Sequence, residues 1–430
     1  MNLEGFKETE MGMIPEDWDV KKFSEVAEIK HGYQFRNYDF TKEGIKVFKI
    51  TQIKSNGVID VSSCDFIDKN RLKEFERVLI KKGDILMALT GATIGKIARF
   101  NNINEPLLQN YRVGNFIPIK EHILSKDYLY YYLSSNYFFN QILARQTQSA
   151  QQNIGKDEIN NMLIILPDIA QQQSIAKILT SLDSKIELNQ KMNQTLEEIG
   201  QAIFKQWFIH YEFPNDEGKP YKSSYSEMVD SELGKIPNGW EVVSVSDAVE
   251  LNPKLKVERD IEKIHVPMAG LSKNSMIITE FEMRNSNSGA KFQNYDTLFA
   301  RITPSAEHGK TGFVQFLNSD EEVAIGSTEF IVMRSKTLNP YYVYCLARYE
   351  KLRKHAINSM TGTSGRQRVQ NDCFNSFFIA QPIEEVLFKF EQLMSPIFKK
   401  IELLNRENQN LSFLRDSLLP KLISGKIRVK

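Results

Sequence analysis

The chain has 430 residues, and its 55 Lys and Arg residues are balanced by 54 Asp and Glu residues, which gives a formal net charge of +1. This length favours two or more domains, each with its own core. The balanced charge excludes a uniformly basic nucleic-acid-binding protein, although a local basic face can coexist with acidic residues elsewhere. Three cysteines without CxxC spacing predict neither a disulfide framework nor a zinc site. The sequence has no long apolar run, so we expect a cytoplasmic protein.

A turn-rich motif near the start of the chain occurs twice. The pattern Gly-x-Ile-Pro-x-x-Trp begins at Gly12 and ends at Trp18, and it begins again at Gly234 and ends at Trp240. After each copy, short β-branched and aromatic runs are broken by Gly, Asn and Asp, which predicts strands. The chain is therefore predicted to be a tandem duplication, which has to be identified before other features are interpreted.

Within the two repeats, landmarks agree while the segments between them differ. Residues 83–88 correspond to residues 295–300, and both segments are typical of strands. Each repeat then predicts one aromatic helix, over 127–139 in the first repeat and over 340–353 in the second. Similar frames with dissimilar loops indicate that function resides in loops that differ between the repeats.

Each repeat ends in a long segment whose apolar residues recur at intervals of three and four, as in a helix that packs on another helix. The tetrapeptide Lys-Ile-Glu-Leu at 185–188 is repeated letter for letter at 400–403. If 171–211 is helical, about 41 residues at ~1.5 Å per residue give a rod of about 60 Å. We predict that the two helices pair antiparallel; the alternative is that each helix covers only its own globular domain.

An asparagine on each predicted seam is expected to set the register of the helix pair, at some cost in stability. Asn193 and Asn408 are each followed directly by Gln, and a Leu lies three residues after each asparagine. The predicted coiled-coil seam comprises Ile175, Leu179, Leu182, Ile186, Asn193, Leu196, Ile203, Trp207, Phe390, Met394, Ile397, Ile401, Leu404, Asn408, Leu411, Leu418 and Leu422.

Four features of the sequence resemble the specificity (S) subunits of type I restriction-modification systems. The first two occur in both repeats: the Gly-x-Ile-Pro-x-x-Trp motif, and a Gln-containing segment that is followed by a strand, a proline and the long helix. The other two are the helix end Phe-Lys-Gln-Trp-Phe at 204–208 and the linker at 213–224. The resemblance implies an α+β fold with two tandem-duplicated globular target-recognition domains separated by a long antiparallel two-helix coiled coil. Each domain is then expected to read one half of a bipartite DNA target, with the coiled coil setting the gap.

The resemblance also implies domain boundaries and partners. The expected parts are a first target-recognition domain at 1–167, a long helix or central conserved region at 168–212, a linker and second target-recognition domain at 213–382, and a C-terminal long helix at 383–430. The expected partners are double-stranded DNA, two methyltransferase (modification) subunits that carry S-adenosylmethionine, and restriction subunits held through the complex. The chain itself is expected to have no catalytic residue, cofactor or metal.

Three short motifs approach enzyme signatures without matching them. Asn-Pro-Tyr-Tyr at 339–342 is similar to the Asn/Asp-Pro-Pro-Tyr loop of amino-methyltransferases, but its third residue differs and its counterpart in the first repeat begins a helix. Residues 91–96 and 309–311 approach a phosphate-binding loop, but the first has a three-residue gap and the second has Pro304 in place of the leading Gly. The enzymatic alternative, a self-contained restriction-methylation protein, therefore lacks its cofactor loop. The structural alternative is a coiled-coil scaffold that joins two protein-binding modules.

A domain that reads bases needs Arg, Lys, Asn and Gln on loops, while phosphate contacts supply affinity and register. The DNA-binding candidates of the first repeat are Lys30, His31, Gln34, Arg36, Gln52, Lys54, Thr90, Thr93, Lys96, Arg112, Arg145, Gln146 and Gln148. Those of the second repeat are Lys254, Lys256, Lys273, Asn274, Arg301, Thr303, His308, Lys310, Arg366, Gln367 and Arg368. For each candidate the alternative is a solvated surface residue without function. The outer polar faces of the long helices, with Lys191, Glu198, Arg406 and Glu407, are predicted to dock the modification subunits.

Overall fold

The computed structural model describes residues 5–54, 57–101, 105–146, 153–258, 260–363 and 365–429. The chain forms two compact units. The first comprises Met1–Lys185 with Asn410–Lys430, and the second comprises Ile186–Gln409. Each unit contains one repeat and a part of both long helices.

Strands and helices alternate irregularly in both units. The strands of the first unit are β1 (Phe6–Thr9), β2 (Gly12–Pro15), β3 (Asp19–Lys22), β4 (Ala27–His31), β5 (Phe40–Thr41), β6 (Ile45–Phe48), β7 (Asp65–Ile67), β8 (Ile85–Ala88), β9 (Ile97–Arg99), β10 (Leu107–Gln109), β11 (Val113–Pro118) and β12 (Leu163–Leu166). Those of the second unit are β13 (Met228–Ser231), β14 (Gly234–Pro237), β15 (Glu241–Ser244), β16 (Val249–Leu251), β17 (Lys263–Val266), β18 (Glu282–Arg284), β19 (Ala290–Phe292), β20 (Thr297–Ala300), β21 (Thr311–Phe313), β22 (Ala324–Gly326), β23 (Phe330–Ser335) and β24 (Phe378–Gln381). The α-helices are α1 (Phe23–Val26), α2 (Lys126–Leu133), α3 (Asn136–Gln146), α4 (Lys156–Asn160), α5 (Ile169–Phe204), α6 (Val245–Ala248), α7 (Pro340–Arg348), α8 (Glu350–Asn358) and α9 (Glu384–Ile423). Short 3-10 segments lie at Asn37–Asp39, Ile50–Gln52, Lys69–Val78, Gly91–Thr93, Met268–Gly270 and Asn371–Asn375.

The two repeats build sheets that share most of their strand order. In the first, an antiparallel sheet has the order β4-β11-β8-β9, and in the second the order β16-β23-β20-β21 is its counterpart. A second sheet, β10-β6-β7-β5, shares three strands with the sheet β18-β17-β22-β19. The parallel pair β10 and β6 corresponds to the parallel pair β22 and β17, and β7 corresponds to β18, whereas the fourth strands, β5 and β19, lie at opposite edges. The shared topology confirms the duplication predicted from the repeated motif.

Each aromatic segment is two helices, so the prediction of one continuous helix per repeat was wrong. In the first repeat, Ser134 and Ser135 separate α2 from α3, because their hydroxyls donate to the carbonyls of Tyr130 (2.8 Å) and Tyr132 (2.6 Å). Tyr130 O still accepts the last helical bond from Ser134 N (3.0 Å), whereas Tyr132 O, which a continuing helix would use, accepts from both the N and the hydroxyl of Ser135. In the second repeat, Tyr349 adopts extended dihedrals (φ −66°, ψ 127°) between α7 and α8.

The long helices pair antiparallel, as predicted. Helix α5 has 36 residues and continues into a π-helical turn at Lys205–Ile209, and α9 has 40 residues. Within the second unit, Asn189 donates to Asn408 Oδ1 at 2.9 Å, whereas the ring of Trp207 lies 5.8 Å from that of Phe390. Residue numbers rise along α5 while those of their partners fall along α9, which defines the direction of pairing.

The same helices also cover the repeats. In the second unit, residues of α5 and α9 such as Phe204, Met394 and Phe398 share one buried cluster with Phe313 and Tyr344 of the repeat. The helices therefore pair with each other and also cover the repeats through neighbouring stripes. The alternative in which each helix covers only its own globular domain was wrong, because α5 also packs on the second repeat.

Every residue of the predicted seam is buried or half-buried. The buried members are Ile175, Leu179, Asn193, Trp207, Phe390, Met394, Ile401, Leu404 and Leu422, and the half-buried ones are Leu182, Ile186, Leu196, Ile203, Ile397, Asn408, Leu411 and Leu418. Sequence reasoning missed Asn189, which is fully buried and, rather than Asn193, forms the hydrogen bond to Asn408. Gly200 lies on this seam beside Met394, and a Cβ atom added to Gly200 would come within 2.8 Å of Met394 Cε at the end of that flexible side chain.

The sequence-predicted boundaries at 167, 212 and 382 remain proposals. The compact units divide the chain within the long helices, at 185–186 and 409–410, rather than at helix ends. Each compact unit includes the helical segments that pack on its repeat, whereas the predicted boundaries separate the globular domains from the long helices.

Candidate nucleic-acid interface

In the second repeat, the loop after β20 is fastened to the loop that follows α8. Thr303 N donates to Gln367 O (3.0 Å), and Val369 N donates to Arg301 O (2.8 Å). An isolated bridge pairs Ile302 with Arg368. These backbone bonds bring Arg301, Thr303 and Gln367 together at the carboxyl end of β20.

The first repeat fastens its corresponding loops in the same way. Ile154 N donates to Leu89 O (3.0 Å), and an isolated bridge pairs Thr90 with Asn153. Thr93 and Lys96 lie on the short return from Thr90 to β9. The predicted candidate Gln148 and the side chain of Gln146 lie outside the described residues. The two repeats therefore share a frame in which a late loop crosses the end of a central strand.

A second edge of the first repeat carries further candidates. His31 Nδ1, at the end of β4, lies 3.4 Å from Tyr111 O. Arg112 Nε donates to Tyr111 Oη (2.9 Å), and its guanidinium lies 5.4 Å from the centre of that ring. Lys30 forms an exposed ion pair with Glu28 (3.1 Å). Lys30, His31 and Arg112 therefore share one exposed edge.

The candidates differ in exposure. The exposed ones are Lys30, His31, Gln34, Arg36, Lys54, Arg112, Lys254, Lys256, Lys273, Asn274, His308, Arg366 and Arg368. Half-buried are Thr90, Thr93, Lys96, Arg145, Arg301, Lys310 and Gln367. The buried candidates are Gln52 and Thr303.

The burial of Gln52 and Thr303 argues against contact with DNA by these two residues. Gln52 Oε1 accepts from Lys49 N (2.8 Å) and Gln52 Nε2 donates to Ser63 O (3.3 Å), so the side chain holds its own loop together. Thr303 Oγ1 accepts from Gln367 N (3.1 Å), which fastens the loop junction described above. Sequence reasoning selected both residues because a polar side chain in a loop cannot be distinguished from a structural one before the fold is known.

Two neighbouring arginines of the second repeat have different surroundings. Arg368 Nε donates to Glu329 Oε2 (2.9 Å) and Arg368 Nη2 to Glu329 Oε1 (2.7 Å), a bidentate ion pair. Arg366 is exposed, and no side-chain bond of it is found within the described part of the chain. Arg368 therefore fastens its loop, while Arg366 is the better placed of the two to contact a ligand.

One cleft of the second repeat is basic. Lys254, Lys291 and Arg301 line it together with neutral residues, and no Asp or Glu is among the lining residues that the structure describes. Arg301 Nη2 donates to Val369 O (2.8 Å), whereas its buried Nε has no partner among the described residues. We call these three residues the basic cleft. Lys291 was missed because it lies within a strand, where a single Lys carries no sequence signal.

An exposed connection between β18 and β19, which lie at opposite edges of their sheet, was also missed. All three residues of β18 are exposed at the edge of its sheet, and Arg284 begins an Arg-Asn-Ser-Asn-Ser-Gly run at 284–289. Next to this connection, burial and the charge of Arg284 lower the pKa of His265, while Glu282 acts in the opposite direction. The density of Asn and Ser in this run was the available signal.

The helix pair has an exposed apolar face within the second unit. Leu188 and Leu403 end the repeated Lys-Ile-Glu-Leu tetrapeptides, and both are 53% exposed. Met192 and Ile199 lie one and three turns after Leu188 on the same side of α5 and are exposed as well. We call Leu188, Met192, Ile199 and Leu403 the apolar face.

Three of the four polar residues predicted to dock partners are bonded along their own helix, and the fourth, Glu407, is bonded to the other helix. Lys191 forms an ion pair with Glu187 (2.9 Å), and Arg406 with Glu402 (2.6 Å). Glu198 Oε1 accepts from Gln194 Nε2 (2.9 Å). Glu407 is half-buried, and its Oε2 accepts from Asn189 Nδ2 (2.8 Å). In the described part of the chain, no helix is long and apolar enough to cross a membrane.

Comparison with known proteins gives a consistent result. The family model described as type I restriction modification DNA specificity domain matches residues 15–198. The chain is 29% identical over 448 residues to the type I restriction enzyme MjaIX specificity subunit of Methanocaldococcus jannaschii, with 99% of this chain and 97% of that protein covered. It is 23% identical to the HindI specificity subunit of Haemophilus influenzae, with 85% and 91% covered.

A solved structure shares the fold. The type I restriction-modification S subunit from M. genitalium superposes with a TM-score of 0.51 at 13% sequence identity, with 94% of this chain and 96% of that chain covered. Both repeats and both long helices fall within the aligned lengths of these relatives. Over nearly its whole length, the chain is therefore similar to type I restriction-modification specificity subunits.

Proposed function

We propose that this chain selects the DNA sequence for a type I restriction-modification complex and has no catalytic role of its own. Each repeat reads one half of a bipartite duplex target, and the helix pair sets the gap between the halves. The observation that carries this proposal is the shared frame with different loops. Thr90 and Asn153 in the first repeat, and Ile302 and Arg368 in the second, make the same bridge beneath loops of different sequence.

The surfaces of the repeats suit a polyanion despite the net charge of +1. The basic cleft groups three cations without a carboxylate among its described lining residues, which favours phosphate contacts. Arg366 and the Arg-Asn-Ser-Asn-Ser-Gly connection after β18 add exposed donors and acceptors of the kind that read base edges. We propose the exposed and half-buried candidates as DNA contacts, with Lys291, Arg284, Asn285 and Asn287 added to them.

The antiparallel helix pair supports a spacer role. Two equivalent helices that run antiparallel are related by a twofold axis normal to the plane that contains them. Repeats attached to such helices present their loops to opposite strand directions of a duplex. Because the loops differ in sequence, the two half-sites are expected to differ as well.

We propose that two methyltransferase subunits bind this chain through the apolar face of the helices, and that restriction subunits join through that complex. Rotation about the twofold axis of an antiparallel pair exchanges the two helices but keeps each face of the pair on the same side. Leu188 and Leu403 occupy equivalent positions and therefore lie on the same face, as two identical partners require. Exposed apolar surface on a helix favours association, whereas Lys191 and Arg406 already have partners on their own helices. We place the complex in the cytoplasm.

The proposed function is tested with the chain and its modification subunits acting on a library of random duplexes. Sequencing of the methylated duplexes is expected to give two short specified elements separated by an unspecified gap of fixed length. DNA binding by the complex is expected to weaken steeply as salt rises, because phosphate contacts release counterions. One contiguous motif, or no sequence preference, would contradict the proposal, and salt-independent binding would favour a scaffold.

The docking surface is tested by replacing Leu188 and Leu403 together with Lys. Loss of two partly exposed leucines from an interface is expected to weaken binding of the modification subunits about tenfold or more. Lys191→Ala on the polar side is the matched control, for which little change is expected. Binding is measured by titration with the purified modification subunit, and equal effects of the two changes would argue for the polar faces instead.

A further inference from the structure

A carboxylate of the long helix α5 is buried against the second repeat. Glu197 is only 9% exposed, although Glu is among the residues least often buried in proteins. Burial raises the pKa of its carboxyl above the ordinary value of 4.5, while hydrogen bonds and the charge of Arg348 act in the opposite direction. A carboxylate kept in such a position needs donors, because burial of an unpaired charge is costly.

The donors come from two different parts of the repeat. Glu197 Oε2 accepts from the backbone N of Met276 (2.8 Å), and Oε1 accepts a short hydrogen bond from the Tyr344 hydroxyl on α7. Arg348 Nη2, one turn further along α7, lies 3.8 Å from Oε1. One side chain of the helix pair therefore holds both a helix and a loop of the second repeat.

The loop held by Glu197 presents two of the predicted DNA contacts. Lys273 and Asn274 are exposed on the segment 271–278, which we call the reader loop, and Met276 follows them by two residues. On its other side, the reader loop is bonded to the strand β21 side of the sheet. Thr311 N donates to Ser272 O (3.2 Å), and Phe313 N donates to Met276 O (2.9 Å).

We propose that Glu197 is a positioning residue for sequence specificity, which sets the place of the reader loop so that Lys273 and Asn274 meet the half-site read by the second repeat. This inference rests on the proposed function of the chain in DNA recognition. Readout of bases by hydrogen bonds tolerates errors of only about 0.5 Å in the placement of the reading groups. A loop bonded on one side to a sheet and on the other to the spacer helix meets that tolerance better than a free loop.

The choice of residue supports positioning rather than packing. The neighbouring seam positions of α5, Leu196 and Ile203, are apolar, and an apolar residue at 197 would serve a packing role without the cost of burying a charge. Glu197 is the group on α5 that accepts the backbone N–H of the reader loop. Its chemistry therefore matches the loop rather than the core.

The test uses the full chain assembled with its modification subunits and the random duplex library. Glu197→Ala is expected to relax discrimination at the half-site of the second repeat by about tenfold, the order expected for loss of a buried hydrogen bond to a charged acceptor. Discrimination at the other half-site and the gap length are expected to stay unchanged. Glu197→Gln is expected to restore discrimination, since its oxygen can accept from Met276 N while its amide donates to the Tyr344 hydroxyl.

A second variant and a second measurement separate positioning from folding. Glu197→Asp keeps the charge but is one methylene shorter, so it is expected to fold and yet to relax the same half-site. Hydrogen exchange is expected to speed up at the Met276 amide in Glu197→Ala and Glu197→Asp, and to change little in Glu197→Gln.

Several results would overturn the inference. They are unchanged discrimination in folded Glu197→Ala or Glu197→Asp, equal relaxation of both half-sites, or failure of Glu197→Gln to restore discrimination. If the unaltered chain gives no bipartite motif, the proposed function itself has failed. A bipartite motif that ignores changes at Glu197 rejects only the positioning role.

Discussion

Each repeat has a tyrosine at the same position that donates to a carboxylate of α5, but the two carboxylates differ in their other partners. Tyr131 on α2 and Tyr344 on α7 occupy equivalent positions, and each donates to a carboxylate on α5. In the first unit that carboxylate is Asp183, whose other oxygen accepts from Arg415 of α9 (2.9 Å). In the second unit it is Glu197, whose other oxygen accepts from the reader loop. Both repeats therefore keep this tyrosine–carboxylate bond, which we call the anchor. The second oxygen of the carboxylate contacts the partner helix α9 in the first unit and the reader loop in the second.

This difference implies that the repeats respond differently to changes in the helix pair. A shift of α5 at Glu197 reaches the reader loop directly through one hydrogen bond. Asp183 instead links α2 to both long helices through Tyr131 and Arg415, which favours a role in holding the helices together. A change at the second anchor is therefore expected to reach the reader loop, whereas a change at the first anchor is expected to act on α2 and the long helices.

Truncation of the two anchoring tyrosines is expected to have the largest effect. Tyr131→Ala and Tyr344→Ala each remove a buried ring and are expected to cost about 3–5 kcal/mol of unfolding free energy. The cost at Tyr344 is expected to be the larger, because Glu197 then stays buried with fewer donors, whereas Asp183 keeps Arg415. Denaturant unfolding followed by hydrogen exchange in each unit measures both, and equal costs would remove the distinction between the anchors.

Two neighbouring arginines sharpen the separation of structure from readout in the second repeat. Arg366→Ala is expected to cost about 1–3 kcal/mol of discrimination at one half-site without loss of stability. Arg368→Ala is expected to loosen its loop, because it leaves Glu329 without its bidentate partner. Library methylation and thermal unfolding of both variants measure the two effects. An equal loss of discrimination at both half-sites in Arg366→Ala would contradict independent reading by the two repeats.

The basic cleft is expected to contribute affinity rather than specificity. Lys291→Ala should weaken binding about equally for all sequences and lower the slope of log affinity against log salt by about one. Lys336→Ala, an exposed Lys outside the cleft, is the matched control. Affinities are measured at several salt concentrations, and a sequence-dependent loss would reassign Lys291 to base readout.

The smallest effect concerns pH and Glu197. Its pKa is raised in the folded chain, so the stability it contributes is complete below the ordinary value of 4.5 and is lost as pH rises through the folded pKa. The unfolding free energy of the wild type, minus that of Glu197→Gln, is therefore expected to fall as pH rises above about 4.5. The groups facing the carboxyl, Tyr344 and Arg348, are retained in both proteins. A difference that rises with pH would mean that the donors outweigh burial.

Sequence reasoning predicted the features that repeat along the chain. The duplicated Gly-x-Ile-Pro-x-x-Trp motif and the matching Lys-Ile-Glu-Leu tetrapeptides identified the duplication and the helix pair, because periodic apolar residues determine which faces are buried. It missed the breaks at Ser134 and Tyr349, where local side-chain bonds and backbone conformation end a helix that propensity alone would continue.

Partner choice at single residues was beyond the sequence. Arg366 and Arg368 are alike as letters, yet only the fold brings Glu329 to Arg368. Asn189 rather than Asn193 meets Asn408, since register along the seam is decided by the whole helix pair. Glu197 gave no signal either, because its partners lie at Met276 and Tyr344, far away in the chain.

We propose above that the two repeats read their half-sites independently and that the helix pair sets the gap between the half-sites. Insertion of one heptad into each helix, after Lys191 in α5 and after Asn405 in α9, preserves the seam and adds about 10 Å, or about three base pairs of duplex. Methylation mapping of the variant complex is expected to give the same two half-sites with a gap longer by about three base pairs. An unchanged gap, or altered half-sites with the helices intact, would contradict the account.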